Sequence, residues 1–194
     1  MHTLLKIGVS AGILFAIIIL SQAYEIPLFK KSLEVIPEIQ AGASGSTKQF
    51  WKKYSDGGLH SAEVLPWLLT YLFIKERSRS FYYLFMSIGI ATMSSIVKLH
   101  NHQGRPFWEN PAVDAIACSN QYGNPSGHSF ASMGMALAVW LDFNSVFSRK
   151  TESYLSAWYW RLLLLIGALA FAGAIGYSRV FLGVHSINQV YYGL

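Results

Sequence analysis

The sequence predicts an all-α fold, a polytopic membrane helix bundle of about five to six helices. Hydrophobic residues make up 53% of the 194 residues and charged residues only 13%, and the mean hydropathy is +0.33. Soluble domains carry about 25% charged residues, and several apolar runs of this chain approach the ~20 residues that cross a bilayer. These observations place the chain in the membrane class and indicate one integral domain.

The first 60 residues divide into an apolar run and a charged segment. Residues 4–23 are long enough to span a membrane, and they are either a retained helix or a cleaved signal peptide. Residues 24–60 mix lysines with glutamates, so they predict a solvent-side connector with a short interfacial helix at 50–54. Residues 1–60 are therefore expected to be a hydrophobic segment followed by a polar connector.

Four further apolar runs follow, separated by charged or polar segments. They cover residues 62–74, 81–97, 130–147 and 160–177. A last run, 184–194, has only half the length of a membrane span, so the sequence predicts that this helix is truncated. Residues 61–194 are expected to form the membrane domain.

Chemically useful residues lie at the ends of these runs. Because each helix crosses the membrane once, successive helix ends alternate between the two faces, and five of these residues are expected on the same face. They are Lys98, Arg105, His128, Arg179 and His185. The sequence therefore predicts that they can share one pocket.

The first group is a pair of cations. Lys98 and Arg105 lie seven residues apart, and Pro106 follows. An arginine can grip phosphate oxygens with a planar fork, and a lysine with a point charge. Basic side chains also anchor helix ends at lipid headgroups. For these residues alone, both interpretations stay open.

The second group is Pro125-Ser126-Gly127-His128, at the start of a predicted helix. The unpaired N–H groups of a helix start can bind an anion. The Ser126 hydroxyl and the Gly127 amide would contribute to such a site, and His128 could donate a proton. The alternative is an ordinary helix cap with an incidental histidine.

The third group is Ser178-Arg179, followed by His185. An imidazole can attack phosphorus if an acceptor holds its other ring nitrogen. Gln189 lies four residues after His185 on the same helix face, so its carbonyl oxygen could take the ring N–H and fix the tautomer. A snorkelling arginine and an interfacial histidine are the alternatives.

Together the three groups resemble the signature of the type 2 phosphatidic-acid phosphatase superfamily, which includes glucose-6-phosphatases and vanadium haloperoxidases. The signature is Lys, six residues, Arg-Pro; then Pro-Ser-Gly-His; then Ser-Arg, five residues, His, three residues, Asp. Residues 98–189 match it except at the last position, where Gln189 stands. The resemblance implies an integral-membrane, metal-independent phosphomonoesterase without a cofactor.

The resemblance also implies a role for each matching residue. His185 would be the nucleophile that forms a phosphohistidine, and His128 would protonate the leaving oxygen and then activate water. The phosphate ligands would be Lys98, Arg105, Ser126, the Gly127 amide and Arg179.

Gln189 is the one departure from the signature. A neutral amide can orient His185 but stabilises an imidazolium less than a carboxylate does. Gln189 and the run Gln103-Gly-Arg-Pro-Phe-Trp108 resemble glucose-6-phosphatases and favour a sugar phosphate, while a lipid phosphate such as phosphatidic acid stays open. The alternatives are a vanadate-dependent haloperoxidase-like site and a catalytically inactive membrane scaffold or lipid-binding relative.

The net charge of +5 indicates contact with anionic lipid headgroups or an anionic substrate. The basic residues form no dense patch, so no nucleic-acid partner is expected. Basic residues also cluster in the segments 75–79 and 148–161, on the face opposite the predicted pocket. The positive-inside rule then predicts a pocket facing the lumen, such as that of the endoplasmic reticulum, the periplasm or the outside.

Overall fold

The computed structural model describes residues 2–75, 77–147 and 158–194, and all regular structure within these ranges is helical. The all-α prediction is therefore confirmed. The helices are α1 (His2–Ala41), α2 (Gly45–Phe73), α3 (Arg77–Asn101), α4 (Pro106–Glu109), α5 (Gly127–Phe147), α6 (Trp158–Phe181) and α7 (Ile187–Gly193).

Helices α2, α3, α5 and α6 pack into a bundle, and α7 packs against α1, α5 and α6 at one end of it. Inside the bundle, Tyr83, Met135 and Ala138 form a buried apolar cluster. In the described residues, two segments are long and apolar enough to cross a membrane by length and composition, Arg77–Glu109 and Trp158–Phe181.

The first helix does not end near residue 23, as the sequence predicts, but continues to Ala41. Ser32, Ile36 and Gln40 are buried at intervals of four residues and form a helical stripe. Lys30, Lys31, Glu34 and Glu38 are exposed, whereas Glu25 accepts a hydrogen bond from Asn124 Nδ2 at 3.2 Å. The segment 24–60, predicted as a connector, is instead helical through most of its length, with buried residues on one side of α1.

The second helix is also longer than the predicted run 62–74, since α2 begins at Gly45 and absorbs the rest of the predicted connector. Ser44 caps it by accepting a hydrogen bond from the Thr47 backbone N–H at 3.2 Å. At Gly58 the helix passes close to α6, where an added Cβ would lie 2.6 Å from the Ile175 side chain. This approach brings the first half of α2 to the site described below.

The last predicted run, 184–194, is replaced by a turn over 182–186 and then α7. Gly183 adopts a φ of +71°, and a Cβ there would lie 2.6 Å from the Asp114 carbonyl oxygen. Glycine is the residue that adopts this left-handed conformation without strain. The other predicted helices are present with longer bounds, and residues 148–157 of the predicted connector lie outside the described ranges.

Candidate active site

The structure brings the three sequence groups together at one end of the bundle. Each predicted residue lies at a helix end or in an adjoining turn, because the apolar runs between them form the helices. Lys98 lies near the end of α3, Arg105 before α4, Ser126, Gly127 and His128 at the start of α5, Arg179 near the end of α6, His185 in the turn after it and Gln189 in α7.

His185 lies at the centre of the site and is only 2% exposed. Its Nδ1 lies 2.9 Å from the Gly123 carbonyl oxygen and 3.1 Å from Gln189 Oε1. Two acceptors at Nδ1 require that this nitrogen carries the proton, so Nε2 keeps its lone pair. Nε2 lies 3.3 Å from Nη1 of Arg105, which can donate to it.

The surroundings of His185 also favour its neutral form. Burial lowers the pKa of His185 well below its usual range, and the positive charges of Arg105, Arg179 and Lys98 act in the same direction. The imidazole is therefore held uncharged beside three cations.

The amide of Gln189 is oriented by backbone groups as well as by the histidine. Its Nε2 donates to the Gly104 carbonyl oxygen at 2.7 Å, and its Oε1 accepts from the Ser186 N–H at 3.3 Å. These partners fix which end of the amide faces His185. Gly123 permits this arrangement, because a Cβ at that position would lie 2.4 Å from Gln189 Oε1.

Arg105 is held rigidly by the loop between α4 and α5 and by the turn before α7. Its Nε donates to the Gln121 carbonyl oxygen at 2.7 Å and its Nη1 to the Val184 carbonyl oxygen at 2.9 Å. Its Nη2 donates to Ser119 Oγ at 3.1 Å. These bonds position a buried guanidinium that retains its charge.

Arg179 is held by residues in the first half of α2, a part of the chain that the sequence predicts to be a solvent-side connector. Its Nη1 donates to the buried Ser55 Oγ at 2.9 Å and lies 3.8 Å from Asp56 Oδ1. Within the described residues, Arg179 Nε and Ser94 Oγ are buried without hydrogen-bond partners. Buried donors of this kind are normally paired, so they fit a site that receives an anion.

Lys98 and the start of α5 face each other. Lys98 Nζ lies 3.3 Å from Gln121 Oε1, and a Cβ added at Gly127 would lie 3.2 Å from the same nitrogen. Ser126 is fully buried, and its Oγ accepts from the Ser129 hydroxyl at 3.0 Å and from the Ser129 N–H at 3.4 Å. The hydroxyl therefore caps α5, and a hydroxyl that accepts twice can still donate once.

His128 lies on the more open side of the site, with its side chain 24% exposed and its Nε2 3.8 Å from Asp56 Oδ1. Sequence analysis missed Asp56, Ser55, Gly123 and Gln121. None of them belongs to the three groups, and no pattern around Asp56 indicates a contact with the site.

The PAP2 superfamily profile matches residues 79–194, more than half of the chain. The structure is similar to the crystal structure of a transmembrane PAP2-type phosphatidylglycerolphosphate phosphatase from Bacillus subtilis. The TM-score is 0.72 at 18% identity, over 94% of this chain and 87% of that chain. No curated protein matches the chain significantly.

The family match and the helical fold agree with each other, and the two apolar segments fit an integral membrane protein. The resemblance to this superfamily that the three motifs indicate is confirmed. The chain belongs to the PAP2 superfamily.

Proposed function

We propose that the protein is an integral-membrane phosphatase that hydrolyses lipid phosphate monoesters through a phosphohistidine on His185. The observation that carries this proposal is the tautomer of His185. With Nδ1 between the carbonyl oxygens of Gly123 and Gln189, Nε2 presents a lone pair beside cationic side chains. A neutral imidazole so oriented can attack an electrophilic phosphorus atom.

In the first step, His185 Nε2 attacks phosphorus in line with the leaving oxygen. The P–N bond forms while the P–O bond breaks, and His128 gives its proton to the leaving oxygen, which departs as an alcohol. The charge on the phosphoryl oxygens is balanced by Lys98, Arg105 and Arg179. The Gly127 amide and the Ser126 hydroxyl complete the proposed phosphate site.

In the second step, the neutral His128 accepts a proton from water as the water oxygen attacks phosphorus. The P–N bond breaks, inorganic phosphate leaves, and His185 recovers the lone pair on Nε2. His128 is then protonated again, ready for the next turnover. Because the chain's own cations balance the phosphate charge, we expect the reaction to need no metal ion.

A cavity beside Lys98 supports a lipid substrate. It has a volume of about 290 Å³, and its lining includes Lys98, Leu99 and Tyr122. On the same helix, Ile96 and Leu99 are 54% and 64% exposed, on a segment apolar enough to cross a membrane. A phosphate at Lys98 would thus lie next to a lipid-facing surface. The alternative substrate is a sugar phosphate similar to glucose 6-phosphate, and the test must distinguish it from a lipid phosphate.

The test uses purified full-length protein in detergent, with phosphatidic acid, phosphatidylglycerol phosphate and glucose 6-phosphate as substrates. We expect phosphate release from the lipids, unaffected by a chelator, and an acid-labile phosphoenzyme in rapid-quench samples. His185→Ala should abolish both signals, whereas Lys31→Ala, which alters an exposed ion pair with Glu34, should change neither.

Three outcomes would contradict parts of this proposal. Activity that survives His185→Ala would remove the nucleophile assignment. A preference for glucose 6-phosphate would move the substrate class to sugar phosphates. A folded wild-type protein that releases no phosphate from any of the three would favour an inactive relative.

A further inference from the structure

Asp56 supplies a negative charge to the site, although it lies outside the three sequence groups. Its Oδ1 lies 3.8 Å from His128 Nε2 and 3.8 Å from Arg179 Nη1. The neighbouring Ser55 accepts a hydrogen bond from Arg179 Nη1. Ser55 and Asp56 therefore place one turn of α2 next to both Arg179 and His128.

The charged and titratable groups that act on His128 come from three helices and one connecting segment. They are Lys98 from α3, Arg105 from the segment after α3, Arg179 from α6, and His60 and Asp56 from α2. Among these groups Asp56 is the acidic one. Burial and three full positive charges therefore act against a protonated His128, whereas the Asp56 carboxylate, 3.8 Å from Nε2, acts in its favour.

Resting on the function proposed above, we infer that Asp56 is a positioning residue that stabilises the protonated His128 and keeps the general acid available. A cation at His128 would otherwise be disfavoured by the charges that hold the phosphate. The same carboxylate limits the rotation of the imidazole by attracting its Nε2. Asp56 itself transfers no proton, since the N–H bond that breaks is on His128 and the O–H bond forms on the leaving group.

The inference predicts that the need for Asp56 depends on the leaving group. An alkoxide, such as the one released from a phosphorylated lipid alcohol, needs a proton as it departs. The phenolate released from p-nitrophenyl phosphate is stabilised by its ring and needs little help. A general acid contributes about 10²–10⁴ in rate, so loss of its supporting charge should affect the first class of substrate selectively.

The test compares wild type, Asp56→Asn and Asp56→Glu of the full chain on phosphatidic acid and on p-nitrophenyl phosphate. The parameter compared is kcat/KM, because it reports the step in which the alcohol leaves and not the later hydrolysis. We expect Asp56→Asn to lower kcat/KM by about 10–100-fold on the lipid and by less than about threefold on the aryl ester. Asp56→Glu should recover part of the loss, since it restores the charge.

Asp114→Asn is the matched control, because its carboxylate pairs with Lys48 at 2.8 Å on an exposed surface. It should leave both substrates unchanged. An equal loss on both substrates in Asp56→Asn would instead indicate a structural role through Arg179, and no loss would also overturn the inference. Wild-type activity that depends on His185 shows separately whether the proposed function holds.

Discussion

At the scale of single residues, the site is organised around two acceptors for one ring nitrogen. The predicted contact between His185 and Gln189 is present at 3.1 Å, and the Gly123 carbonyl oxygen adds a second acceptor at 2.9 Å. The tautomer of His185 therefore does not depend on Gln189 alone.

The first prediction concerns Gln189→Ala. One hydrogen bond contributes about 0.5–1.5 kcal/mol, and Gly123 continues to hold the Nδ1 proton. We therefore expect the rate of phosphoenzyme formation to fall by about tenfold, measured by rapid quench. Gly123→Ala should cost more, because its Cβ would displace the Gln189 amide. A loss in Gln189→Ala as complete as that in His185→Ala would show that Gly123 does not orient the ring.

The second prediction concerns pH. Burial and three nearby cations lower the pKa of His185 well below its usual range, so this proposed nucleophile should stay neutral in mildly acidic solution. After correction for the second ionisation of the phosphate ester near pH 6, kcat/KM should show no acid limb centred near the ordinary histidine pKa of about 6.5. The fall in kcat/KM should instead occur at lower pH. An acid limb at or above 6.5 would contradict the neutral, buried imidazole.

At the scale of elements, the ends of the helices carry the chemistry and the turns decide its geometry. Gly183 closes α6 with a φ of +71° and starts the turn that holds His185. The Val184 and His185 N–H groups both lie 3.3 Å from the Arg179 carbonyl oxygen, so this turn folds back on the last turn of α6. The positions of Arg179 and His185, the proposed nucleophile, are thereby fixed relative to each other.

The third prediction tests this turn. Gly183→Ala should destabilise the protein by about 1–3 kcal/mol, because alanine is strained at this φ and its Cβ would collide with the Asp114 carbonyl oxygen. The measurement is thermal unfolding in detergent. Gly173→Ala in α6 is the control, since its Cβ would meet no atom within 4 Å. It should be neutral or slightly stabilising. Equal melting temperatures for the two variants would contradict the proposal that the Gly183 turn stabilises the protein.

At the scale of the whole molecule, hydrogen bonds from α1 connect the elements at the end of the bundle that carries the site. Gln40 donates to the carbonyl oxygens of Asp114 and Phe181 at 2.8 and 2.9 Å, and it accepts from the Asp114 N–H at 2.9 Å. Ser32 accepts from the Ile187 N–H at the start of α7. The extended part of α1 therefore connects the loop, the end of α6 and α7 on the face that carries the site.

The fourth prediction concerns which face of the membrane this is, and the positive-inside rule predicts the lumen, the periplasm or the outside. Cys118 is the sole cysteine of the sequence, and it is exposed in the loop that holds Arg105. In sealed membranes, a membrane-impermeant maleimide should label Cys118 from the lumenal, periplasmic or outer side. A Cys118→Ser/Ser78→Cys variant, with the thiol in the exposed first turn of α3, should react only after permeabilisation. The reverse pattern would place the pocket in the cytoplasm.

Three features could be predicted from the sequence: the helical class, the order of the motifs and the contact between His185 and Gln189. These features are local, because they depend on the length of apolar runs and on the four-residue spacing of a helix face. The alternation of helix ends also predicted that cations and histidines share one face. The prediction of a polar connector failed over residues 24–60, because the average polarity of the segment concealed the buried residues of α1 and α2.

The contacts that support the site depend on how the helices pack. The partners of its central residues are distant in sequence, since Ser55 and Arg179 are 124 positions apart and Gly123 and His185 are 62 positions apart. No local pattern encodes such pairs, because they arise when helices pack and turns close. For the same reason, Asp56 has no visible role in the sequence, yet packing of α2 against α6 puts its carboxylate between Arg179 and His128.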